Sequence, residues 1–219
     1  MDAGGVEATA GNETTVVVAP PQDGFFRTPF QVLTLGYATF GIYGFYWLIR
    51  GRHLAEERLE RKPTSYWWYL WWLIPIVAWI SGVESAAIIQ RRVQAAGVPP
   101  PRVHMGVSAA AFFVVEALWR LHDPYWLISL TSPVFLALMA SSLSTAERAD
   151  SPERVWPRFT AWEWVITVVG GLFIVFLALG GLLTDPEWQR PFEAAVYLFI
   201  ALSLVVAAIL EQRTWKRAK

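Results

Sequence analysis

The sequence predicts an all-α fold: a polytopic membrane bundle of about six hydrophobic helices, one of them re-entrant. Three observations carry this. Of 219 residues, 55 % are hydrophobic and only 16 % charged, where an average soluble chain carries about 25 % charge. The apolar residues gather in six runs, most of them near the ~20 residues a helix needs to cross a bilayer. None of the runs alternates apolar with polar residues, as a barrel strand would.

Each element follows from its own residues. Residues 1–28 read as a disordered tail, rich in Gly, Thr, Pro and acids. They lack the basic start and long apolar stretch of a signal peptide, and Asn12, Glu13 and Thr14 form a glycosylation acceptor pattern common by chance. The membrane domain spans residues 29–210. Its first run, "PFQVLTLGYATFGIYGFYWLI" at 29–49, reads as one helix that continues into water through "RGRHLAEERLERKP". Glu57 and Arg61 have the spacing of a helical ion pair, and Lys62-Pro63 ends the helix. Ser65 is placed to cap the second run, residues 66–89, which "SGVES" interrupts. "AGVPPPR" is a turn-rich linker to the third run, residues 103–119. "HDP" at 122–124 joins it in a hairpin to the fourth, residues 125–143. The fifth (161–183) and sixth (192–210) are the clearest spans, and a basic tail, 211–219, closes the chain.

The second run opens with "SYWWYLWWLIP". On an α-helix, a ligand cage would place its rings at i, i+3, i+4 and i+7. Here Tyr66, Trp67, Trp68 and Tyr69 are consecutive, followed by Trp71 and Trp72. As an α-helix these six rings would point in every direction within about 9 Å of rise. That describes an aromatic belt in the headgroup region.

"TFGIYGFYWLIRGRHLAEERL" at 39–59 resembles a prokaryotic membrane family catalogued as domain of unknown function 4234, through Thr39, Gly41, Ile42, Tyr43, Gly44, Tyr46 and Trp47. "FTAWEWVITVVGG" at 159–171 resembles the start of a later helix in longer members. The charged helix departs from the family in having no Asn. The resemblance implies a multi-pass protein of a prokaryotic plasma membrane. It supplies no catalytic residues, because the family's biochemical role is uncharacterised.

Chemistry-bearing motifs are scarce. With no cysteine there is no disulfide and no thiolate. His53, His104 and His122 form no HExxH arrangement, and their scatter fits interfacial or capping roles better than metal ligation. No P-loop, no GxSxG and no dinucleotide fingerprint occurs, so no cofactor is expected. A net charge of zero argues against nucleic acid as a partner. Gly82/Ala86 and Ala137/Ser141 have the spacing of small-residue packing faces.

The informative residues are ionisable groups at membrane depth: Glu84, Glu116 and Arg120. Such groups cost about 2.5–3.5 kcal/mol to insert, so they should face protein or water. Glu116 and Arg120 are four apart, which predicts an ion pair near a helix end; the sharper reading is a proton or cation site. Glu84 is flanked by Ser81, Gly82 and Ser85, where backbone can open toward a cavity. Glu163 and Glu193 suit the positive N-termini of the last two helices. The expected function is therefore a non-enzymatic scaffold or modulator of membrane-protein partners in the lipid bilayer. The alternative is a small transporter or channel component that uses the intramembrane carboxylates.

The spread of Lys and Arg bears on topology. Six plain crossings divide these residues poorly. A second run that dips in and returns, turned back by Pro75 and "SGVES", predicts five crossings with the N-terminus outside. If the first run also fails to cross, only Arg120 and Arg190 lie outside and the N-terminus is inside.

Overall fold

Helices account for all the regular structure among the described residues, and no strand occurs. The structure is a computed structural model that describes residues 27–99, 103–150, 158–184 and 186–217. All but the last two residues of the predicted disordered tail, and the glycosylation pattern with them, lie outside the described part, as do residues 100–102 of the Pro-rich linker.

The first run is not one helix. Thr28 and Gln31 cap each other's backbone N–H groups, with Pro29 in the first turn, and start α1 (Pro29–Ala38). Thr39 then divides the run: its hydroxyl donates back to the Leu35 carbonyl at 2.8 Å and accepts from the Tyr43 N–H at 2.9 Å. Phe40 and Gly41 both take positive φ, so the chain reverses into α2 (Ile42–Arg58). A side chain at position 41 would meet the Glu116 carboxylate as well as the left-handed backbone, which leaves glycine there.

The second run begins not as an α-helix but as a 3₁₀ helix, Tyr66–Leu73. Ser65 precedes it without a side-chain capping bond, contrary to the expected cap. After Ile74 comes α3 (Pro75–Ala95). It passes unbroken through "SGVES", so that segment makes no turn and any reversal lies before Pro75. His104 accepts from the Gly106 N–H and caps α4 (Met105–Ala117). A 3₁₀ turn at Leu118–Arg120 and another at Tyr125–Thr131 form the expected hairpin into α5 (Pro133–Asp150). Last come α6 (Ala161–Thr184) and α7 (Arg190–Arg217), the latter extending through most of the predicted tail.

Side-chain contacts orient these helices. Thr28, before α1, donates to Glu211 near the end of α7, and Arg58 at the end of α2 meets Glu147 near the end of α5. Both outer ends of the α1–α2 hairpin therefore lie beside the C-terminal end of α5. The next hairpin repeats this. Thr64 is tied to Glu56 at that end, Trp72 packs deeper against Phe45, and α3 returns to place Arg92 on Glu147. One core joins α2, α3, α4 and α5 through Trp47, Ile89, Phe112 and Leu136. A second joins α1, the Tyr125–Thr131 turn and α7.

Among the described residues, three segments are long and apolar enough to cross a membrane: Tyr125–Asp150, Ala161–Gly181 and Arg190–Gln212. Their burial separates them. The first is 56 % buried in its own fold, the other two only 6 % and 17 %. Those outer helices present Val165, Val168, Phe176 and Leu202 outward, which is stable against lipid and costly against water.

Candidate functional site

The charged turns of α2, expected in water, bury Arg52 and Glu56 while Glu57 stays exposed. Gly51, Ala55 and Leu48 lie on the face of α2 packed against α3 and α5, and helical spacing carries Arg52 and Glu56 inward with them. Arg52 Nε donates to Glu56 at 2.8 Å, and its Nη2 reaches Glu84 at 3.2 Å. Thr64 donates to Glu56 twice, from its backbone N–H at 2.7 Å and its hydroxyl at 2.6 Å. Burial alone would raise the Glu56 pKa. The Thr64 and Arg52 hydrogen bonds outweigh it and hold the carboxyl below its usual 4.5. Beside it, burial holds His53 below 6.5; Arg50 and Arg52 add to this against the pull of Glu56.

A second charged group lies where α2, α3 and α5 end together. Glu147 is 1 % exposed and receives Arg58 at 3.3 Å and Arg92 at 3.0 Å. Arg92 also contacts Asp150. Both carboxylates are thus matched by guanidinium groups, as burial requires. Sequence reasoning missed Glu56, Arg92 and Glu147. The available signal was that each shares a helical face with small or apolar residues.

The predicted polar residues do not form one site. Glu84 is half-exposed and serves as the outer partner of Arg52. Glu116 lies elsewhere, accepting from the Ser132 hydroxyl beside the Gly41 turn. Eleven residues of α2 separate Gly41 from Arg52, about 16 Å of helix rise, and this sets the spacing of the two carboxylates. Glu116 does not pair with Arg120. The α-helix gives way to a 3₁₀ turn at Leu118, which breaks the four-residue register, and Arg120 instead lies 5.8 Å from the ring of Trp119.

The aromatic run is also divided by its geometry. A 3₁₀ helix repeats every three residues and rises about 2.0 Å per residue. Tyr66, Tyr69 and Trp72 therefore share one face. Tyr69 lies between the other two rings, at 6.3 and 5.4 Å. This ladder stacks on His53 at one end and on Phe45 and Phe113 at the other. Trp67, Trp68 and Trp71 point outward. The rings are not spread in all directions, as an α-helix would have arranged them: Tyr69 and Trp72 pack into the interior as the chain descends, while Tyr66 stays exposed at the outer end of their face.

Between the second half of α2 and the returning segment opens a cleft of about 780 Å³, lined by Arg50, His53, Glu57, Arg61, Tyr66 and Trp67 among others. A narrower apolar groove of about 260 Å³ runs between α1, α5 and α7, past Ala137 and Ser141 to Arg148 and Glu211.

Comparison with family models, curated proteins and solved structures finds no match to this chain.

Proposed function

We propose that this is a non-enzymatic integral membrane protein that holds or modulates membrane partners through the outward faces of α6 and α7, in the plasma membrane of a prokaryote as the "TFGIYG" resemblance implies. The observation that carries this is α6. It is the length of a full membrane span, yet only 6 % of its apolar window is buried in its own fold. A helix that contributes so little to its own core keeps its surface for lipid and for other helices. The separation of Glu84 from Glu116 weighs against the transport alternative, which needs a continuous polar path.

The test places a photo-crosslinking residue at Val169 or Phe176, both outward on α6, and at Ala86 in the core as a control. After irradiation in cells the protein is purified in mild detergent. Discrete protein adducts at the α6 positions, unchanged by Glu84→Gln, support scaffolding. Lipid adducts alone at every α6 position would sink it. Loss of a pH-dependent flux in Glu84→Gln, with the fold intact, would favour transport.

A further inference from the structure

We propose that the cleft between α2 and the segment returning to the 3₁₀ helix binds an anionic phosphate group, presented by a phospholipid headgroup or by a free phosphate. The inference is independent of the scaffolding role.

Four observations support it. Arg50, His53 and Glu57 have the i, i+3, i+7 spacing of one stripe of α2, and Arg61, beyond the helix end, lines the cleft with them. Two guanidinium groups face one carboxylate, so the walls carry an excess of positive charge. Arg50 is pre-positioned: its Nη1 donates to the Tyr66 hydroxyl at 3.0 Å. A fixed guanidinium loses less freedom on taking a phosphate, and its planar fork suits two phosphate oxygens. His53 Nε2 is buried and has no hydrogen-bond partner among the described residues, which leaves a polar atom for a ligand to satisfy.

The cleft's place favours the lipid source. It opens toward the end of the bundle where Arg58, Arg92 and Arg148 also lie, near the C-terminal end of α5. Trp67, 77 % exposed, stands on its wall as an amphipathic ring suited to the glycerol region. The ion pairs at Glu56 and Glu147 do not supply this site, because their guanidinium groups are committed to carboxylates. Arg61 is exposed beyond the end of α2 and can meet a ligand without breaking the core.

The experiment uses the full chain purified in a non-ionic detergent, with dioctanoyl phosphatidylglycerol, dioctanoyl phosphatidylcholine and inorganic phosphate as probes, read by calorimetric titration. The expected result is that phosphatidylglycerol binds well ahead of phosphatidylcholine. Arg61→Glu and Arg50→Gln should each weaken it by about tenfold to a hundredfold, the range for losing a charge-assisted hydrogen bond. Arg91→Glu makes the same charge change on an exposed part of α3 outside the cleft and should leave binding unchanged. Competition by inorganic phosphate, also lost in Arg61→Glu, would identify the free anion as the ligand; no competition would identify the lipid. Arg50→Gln removes the Tyr66 contact and can unfold the segment, but Arg61→Glu keeps the test decisive. Equal binding of both lipids, or equal loss in Arg61→Glu and Arg91→Glu, would reduce the cleft to a solvated basic face and overturn the proposal.

Discussion

Glu116 is held by Ser132 and by the Gly41 turn, so its energetic partner should be a hydroxyl and not a cation. A double-mutant cycle of Glu116→Ala with Ser132→Ala is expected to show coupling of about 0.5–3 kcal/mol, whereas Glu116→Ala with Arg120→Ala should be additive to within about 0.5 kcal/mol. Mixed-micelle unfolding measures both. Strong coupling to Arg120 would restore the ion pair that helical spacing alone predicts. Acid should also destabilise the buried cluster at α2, through two groups of the same sign. His53 and Glu56 both have folded-state pKa values depressed below 6.5 and 4.5. In each case the unfolded chain binds the proton first, so stability present at neutral pH is lost as pH falls. The His53 limb starts near 6.5 and the Glu56 limb near 4.5. His53→Phe is expected to remove the upper limb and keep the lower one. Thr64→Val, which loses one of the three hydrogen bonds that hold Glu56 ionised, should raise the folded-state pKa toward the unfolded value and so shrink the lower limb. A pH-independent melting temperature between 7 and 4 would contradict both assignments.

At the scale of the element, α6 depends on one close approach. A side chain at Gly170 would collide with the backbone of Ala38 at the end of α1, while position 171 faces open space. Gly170→Ala is therefore expected to cost about 1–3 kcal/mol through overpacking. Gly171→Ala should be neutral or stabilise by up to about 1 kcal/mol through helix propensity. Limited proteolysis near Phe159 and unfolding in mixed micelles would report the difference; equal effects would mean that α6 is not docked where α1 ends. The Arg27–Glu163 ion pair at 2.8 Å anchors the same helix at its start. The 3₁₀ run shows why element type mattered more than element position. The tyrosines and tryptophans were legible as a cluster, but the inward turn of Tyr69 and Trp72 follows from a three-residue period that composition does not reveal.

For the whole molecule, the two hairpins and the helices after them predict where each loop lies. Thr28, Arg58 and Thr64, Arg92, and Glu147 and Glu211 meet at one end of the bundle. The hairpin loop near 122 and the start of α7 lie at the other. Among the described basic residues only Arg120 and Arg190 belong to that second end. The positive-inside rule then assigns the crowded end to the cytoplasm and, in contrast to the five-crossing expectation, places the start of α1 inside as well. The chain has no cysteine, so single cysteines can be read without background. Cysteines at Ser65, Ala95 and Thr160 should be protected from an impermeant maleimide in intact cells, and cysteines at His122 and Glu187 should label. Labelling at Ala95 with protection at Ser65 would show that the second run crosses and that its hairpin is wrong.

The sequence by itself determined the class of the molecule. Runs of apolar residues and a shortage of charge leave helices as the form that can satisfy its backbone in lipid. It also marked the polar connections, the hairpin at 122–124 and the residues Glu84, Glu116 and Arg120 as ones that need partners. Tertiary structure alone decided which partners these are. The Gly41 turn has the Glu116 carboxylate of α4 packed against it, and the burial of Arg92 and Glu147 depends on three helix ends meeting. Apolar periodicity reports that a face is buried but not against what. A charge is stable in such a place only when its counter-charge, tens of residues away, arrives there too.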